Sequence, residues 1–171
     1  IFSYPGQVLY RSAFPVLKDG SIYKITATYH VRPVSANAET PIVGDVSAVS
    51  PGIFTPLNLW TNSNIVFSWN TGTNGKRYSA TLRFHYKEQF IYDTTEVTEK
   101  YVDWDLGERD ALDDNGNETV SLSRVRFDFL RMASQQIPQN PVVRRIAGKV
   151  DLIFLGAAEN FATYLDVEAA N

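Results

Sequence analysis

The 171-residue chain contains no cysteine, one methionine (Met132), two histidines (His30 and His85) and no long apolar run. Each shortage excludes something. Without thiols there is no disulfide framework and no thiolate metal site. No stretch comes near the roughly 18 consecutive apolar residues of a membrane-spanning helix. Both histidines fall on polar strand faces, and no third ligand stands at a regular zinc spacing from either. The net charge of −3 argues against a general nucleic-acid binder. No Gly-x-Ser-x-Gly elbow and no phosphate-cradling glycine loop occurs. The chain begins at Ile1 with no basic-then-apolar leader, as expected of a processed protein or a fragment.

What is present is an ordinary globular composition, 44% hydrophobic and 20% charged. Its dominant period is two. Tyr23, Ile25, Ala27, Tyr29 and Val31 share one face of a strand over Ser21–Val31, entered by the turn Lys18-Asp19-Gly20. Shorter candidates are Gln7–Arg11, Ser35–Thr40 and Gly44–Val49. Prolines 41, 51 and 56 place the main organisational boundary between Pro41 and Pro56. Ile65, Phe67 and Trp69 then alternate with polar neighbours, as do Tyr78, Ala80, Leu82, Phe84 and Tyr86. The intervening Thr71-Gly72-Thr73-Asn74-Gly75 predicts a β-hairpin with Gly75 at positive φ. Its second strand extends toward Tyr92. Thr94–Trp104 continues the meander. Val125, Phe129, Met132 and Gln136 predict one helix over Arg124–Gln136, capped by Ser121 or Ser123 and stopped by Pro138. Val150–Leu155 reads as a strand buried on both faces. Ala157–Tyr164 is open between a helical turn and a loop, and Leu165–Val167 would close the sheet.

Charge is arranged in blocks. Residues 1–92 carry net +4, residues 93–118 net −8, residues 119–150 net +5 and residues 151–171 net −4. Opposed blocks invite mutual docking or a partner-facing surface. Within the acidic block, Asp113, Asp114, Asn115, Asn117 and Glu118 could offer oxygens to a hard cation. The calcium-loop template fails, because Ala111 would occupy its first ligand position. Residues 105–118 are therefore expected to form a mobile, solvated loop without a required metal. No cofactor is expected. The aromatic side chain that stands apart is Trp60, set among polar turn residues with Asn62 and Asn64. An aromatic presented this way binds a sugar or a protein partner, or else plugs one end of a sandwich. These three residues are the candidate binding site. No catalytic constellation is found.

Gly20-Ser21-Ile22-Tyr23-Lys24-Ile25, followed by Ser35-Ala36-Asn37-Ala38-Glu39-Thr40-Pro41, resembles the end of an immunoglobulin-like domain in uncharacterised surface lipoproteins of Bacteroidetes-type bacteria. Arg83–Glu88, the helix, Asn140-Pro141 and Val150–Phe154 resemble the second half of the same proteins. The resemblance implies a lipid-anchored envelope protein beside outer-membrane machinery, although no lipid-bearing cysteine is present here. It offers no catalytic residues.

The expectation is a mainly β fold of antiparallel, immunoglobulin-like sandwich strands with one inserted helix. Residues 1–42 form part of a sandwich, and residues 43–171 a β-rich domain. Residues 1–42 supply too few strands to cover their own apolar face, so strands from elsewhere must complete them. The expected function is a non-enzymatic, extracytoplasmic envelope protein that binds or scaffolds a protein partner. The alternative is a carbohydrate-binding module using loop aromatics. Neither nucleic acid nor a membrane span is expected.

Overall fold

The computed structural model describes residues 17–29 and 34–170. The candidate strand at Gln7–Arg11, together with His30 and Val31, lies outside them. The fold is mainly β, with antiparallel sheets, as expected. Strands β1 (Ile22–Tyr29) and β2 (Val34–Pro41) pair with each other. Strands β3 (Ser47–Ser50), β4 (Asn64–Asn70) and β7 (Thr119–Val125) make a second sheet in the order β3-β4-β7. Strands β5 (Arg77–Phe90), β6 (Val97–Asp110) and β8 (Val143–Ala157) make a third, in the order β6-β5-β8. Helices α1 (Arg126–Gln136) and α2 (Glu159–Ala169) complete the described chain. Among the described residues no helix is long and apolar enough to cross a membrane.

The second and third sheets share one core. Phe67, Trp69 and Leu122 come from one, and Tyr78, Leu82 and Leu106 from the other, and all six are buried. The inward set expected of β5 is correct in register. Tyr78, Ala80, Leu82 and Tyr86 are buried, Phe84 is half-buried, and Lys87 faces water. Helix α1 lays Phe129 against Phe84 at 5.3 Å and Trp104 at 5.8 Å between ring centroids. In β6 a register shift opposite Ala80 and Thr81 is accommodated by Gly107, whose φ of 92° suits a residue without Cβ.

The hairpin expectation is wrong. Strand β4 pairs with β3 and β7, and β5 with β6 and β8. The two alternating segments bury their apolar faces against each other across the sandwich instead of lying side by side. Positive φ falls on Asn74 (62°), not on Gly75. Thr71–Gly75 is a crossover. Tyr78 Oη donates to Gly72 O (3.0 Å) and accepts from Gly72 N (2.9 Å). Gly44 N donates to Thr73 O and Asn74 N to Asp114 O. Asn74 Nδ2 donates to Gly20 O (3.3 Å) and Ile42 O (3.2 Å).

Other expectations are also corrected. Helix α1 begins at Arg126 without a side-chain cap, because Ser121 and Ser123 belong to β7. Strand β5 stops at Phe90 rather than Tyr92. Leu165–Val167 lies in α2, a second helix that buries Ala162, one turn beyond the buried Ala158. Arg77 ties α2 to the sheet, with Nη1 on Asp166 (2.6 Å) and Nε on Asp110 (2.7 Å). Residues 105–118 are not a free loop. Asp105–Asp110 is the end of β6, and the remainder is pinned by Ala111 N to Lys76 O, Leu112 N to Glu118 Oε2 and Thr71 N to Glu118 O. Strand β8 is not buried on both faces, since residues 150–154 are half-buried and Leu155 is exposed.

In the β1–β2 ribbon, Ile25 pairs with Ala38 and Ala27 with Ala36 on one face. The other face carries Lys24–Glu39 (3.1 Å) and Thr26–Asn37 (2.7 Å). The apolar face is open, with Ile25 66% exposed. Tyr23 Oη accepts from Lys18 N at 2.8 Å, fastening the turn to the strand.

These assignments predict stability effects. Leu82→Ala should cost about 2–5 kcal/mol in chemical denaturation, and Leu155→Ala at the exposed edge about 0.5 kcal/mol or less. Gly72→Ala should be destabilising as well, because its Cβ would collide with the Gly44 carbonyl.

Candidate partner-binding slot

The two packed sheets are joined on one side and open on the other. On the joined side β6 and β7 approach, where Arg109 Nε donates to Ser121 O (3.1 Å). On the open side the edges are β3 and β8. The chain between β3 and β4 crosses that opening. Two hollows lie in succession along β8. One, of about 650 Å³, runs between residues 40–46 and Phe154–Ala158, with Phe161 at its end. The other, of about 780 Å³, runs between residues 51–60 and Ala147–Leu152, floored by Phe84 and Phe129.

The wall formed by residues 51–60 is unusual. Pro and Gly punctuate it, so it forms no strand, and it holds large apolar side chains in water. Ile53 is 78%, Phe54 99% and Trp60 81% exposed. Phe54 sits at φ 67°, a left-handed conformation that is a genuine outlier for a bulky side chain. Trp60 N donates to Asn58 Oδ1 (3.0 Å), a local turn that turns the indole outward. Apart from the Trp60 indole, the polar side chains lining the larger hollow are those of Thr55, Lys149 and Asp151.

Of the sequence-predicted residues, Trp60 lines this hollow, whereas Asn62 and Asn64 are exposed outside its lining. Asn64 opens β4, opposite Val125. Ile53 and Phe54 were missed. Their signal was two bulky apolar residues inside a Pro/Gly-punctuated stretch, Pro51-Gly52-Ile53-Phe54-Thr55-Pro56.

The outer face of the third sheet carries charge, but as closed pairs. Arg83 makes a two-pronged bond to Asp103 (2.8 Å each) and lies 4.1 Å over the Tyr101 ring. Arg83 holds the Asp103 carboxyl below its usual range. Lys149, and then His85, do the same for Asp151. His85 Nε2 stands 2.7 Å from Asp151 Oδ2, a dyad to which no hydroxyl is hydrogen-bonded among the described residues. Among the described residues no group of three or more His, Asp or Glu side chains gathers as a metal site. Farther along the sheet Glu88 bridges Lys100 (2.5 Å) and Arg145 (2.8 Å), which hold its carboxyl low.

Comparison with family models, curated proteins and solved structures gives no match.

The Glu88 bridge predicts a pH effect. A carboxyl whose folded pKa is depressed stabilises the protein above the unfolded value of about 4.3, and that contribution is lost as pH falls through the folded value. Glu88→Gln should be less stable than the parent at pH 7 by about 1 kcal/mol. In urea titrations the gap should close below about pH 4.

Proposed function

We propose that this chain is a non-enzymatic cell-envelope protein that binds or scaffolds a protein partner through the slot between residues 40–60 and β8. The observation that carries this reading is Phe54, a bulky side chain kept almost wholly in water at a left-handed backbone position, beside exposed Ile53 and Trp60. Such a conformation costs about 1–3 kcal/mol and persists where its surroundings or its function require it. Large exposed apolar clusters mark interaction sites, and buried aromatic anchors carry most of the energy of an interface. The apolar lining of the larger hollow favours a polypeptide over a glycan, whose hydroxyls would find few partners there. The open ribbon face at Ile25 adds apolar surface that a partner can cover. The extracytoplasmic, lipoprotein-like placement beside an outer membrane, and the immunoglobulin-like character of the N-terminal strands, rest on the resemblance described above.

The reading separates stability from binding at one residue. Phe54→Gly should melt no lower than the parent, since glycine tolerates the backbone and the ring packs on little. It should nevertheless lose partner binding. A photoreactive residue in place of Phe54, exposed to envelope extract, should give a discrete polypeptide adduct that Ile53→Asp abolishes. Adducts to glycan alone, or none, would contradict the reading. So would a loss of more than about 1 kcal/mol of stability in Phe54→Gly, which would make Phe54 a packing residue.

A further inference from the structure

We infer that the slot receives an extended segment of the partner polypeptide, which adds to the outer edge of β8 as a fourth strand of the β6-β5-β8 sheet. This rests on the protein-binding reading above and specifies its mode. The first argument is backbone chemistry. Strand β8 is the longest strand described, Val143–Ala157, and lies at a sheet edge. Among the described residues no backbone hydrogen bond joins it to the facing wall of residues 40–60. An edge of that length offers a row of unpaired N–H and C=O groups, which a partner strand satisfies.

The second argument is the side-chain pattern. Val150, Leu152 and Phe154 stand opposite Phe84, Leu82 and Ala80 in the ladder, so they belong to the core face. Yet all three are only half-buried, because the slot opens beside them. A neighbouring strand places every second side chain on that same face. The occupant is therefore a segment with apolar residues at alternate positions.

The third argument is shape. The two hollows follow β8 from Ala147 to Ala158. At about 3.3 Å per residue this is a trough some 36 Å long. A small molecule would fill one hollow and leave the other. A second copy docking face to face would need about 800 Å² of matched surface per partner, where this side presents a trough.

The fourth argument is charge. Asp45 and Glu159 lie at the end of the trough where β8 finishes, and neither has an ion-pair partner among the described residues. Continuing the antiparallel pattern of the sheet, the added strand runs opposite to β8. Its N-terminal end is then cationic, beside Asp45 and Glu159.

The test uses the whole chain and a synthetic peptide of alternating valine and threonine, about eleven residues long to match the trough, with lysine first. Two further versions carry N-methyl groups on one or the other alternate set of amides. Calorimetry should show binding of the parent peptide. Methylation of the set facing β8 should weaken it about tenfold or more, and methylation of the other set should change it little. Because the chain has no cysteine, Leu155→Cys offers a single thiol at an exposed edge position. It should form a disulfide with one cysteine position along the peptide and not with the adjacent ones. No binding, equal effects of the two methylated sets, or disulfide formation at every position would overturn strand addition. If the Phe54 crosslink still gives a polypeptide adduct in that case, the strand mode alone falls. If neither experiment gives a polypeptide, the protein-binding reading falls with it.

Discussion

Tyr78 holds both backbone groups of Gly72 through one phenol oxygen, and much of the architecture hangs on that clasp. The ring is fully buried, and burial pushes its hydroxyl above the ordinary value. With Gly72 fixed, Thr71–Gly75 becomes a junction at which separate parts of the chain meet. Thr71 bonds Glu118 at the end of the acidic block, Thr73 accepts from Gly44, and Asn74 reaches Asp114, Gly20 and Ile42. A Cβ on Gly116 would stand 2.6 Å from Thr73 N, so this crossing is close backbone packing. One five-residue segment thus connects the ribbon, the chain entering β3, the acidic segment and the start of β5. Buried polar groups are costly unless paired, and here nearly all the pairing is with backbone.

That junction also explains what the sequence could and could not convey. Strand faces were legible because alternation is local. Tyr78, Ala80 and Leu82 had to share a face wherever the strand went. Pairing partners were not legible, because Asn-Gly between two alternating runs looks the same in a hairpin and in a crossover. The difference is made by Gly44, Asp114 and Glu118, remote in sequence. The acidic block shows the same limit. Its charge suggested solvation, but Ala111 packs in the core and Glu118 turns back onto Leu112 N. At the candidate site, Trp60 was legible from its polar neighbours, whereas Asn62 in its loop and Asn64 at the start of β4 do not share its hollow. Ile53 and Phe54 were not legible, because punctuation by Pro and Gly looks the same at a boundary and in a loop that displays apolar side chains.

The sandwich is asymmetric, and the proposed function rests on that asymmetry. One side is joined where β6 meets β7. The other ends in two edge strands, β3 and β8, each paired on one side only, with an apolar wall between them and water. The charged outer face is internally neutralised, pair by pair, so it offers little net attraction to a charged partner. Among the described residues, the apolar wall and the outer backbone edge of β8 lie open on that side. The extended polypeptide segment proposed above would cover both.

Amide hydrogen exchange of the isolated chain, read strand by strand, tests this openness most directly. Central β5, paired on both sides, should exchange slowest. In β8, residues 147–156 should show alternation, with amides directed to β5 protected and those directed to the slot exchanging fast. Uniform protection along β8, equal to that of β5, would mean that the edge is already paired in the free chain, and the open slot on which this account rests would not exist.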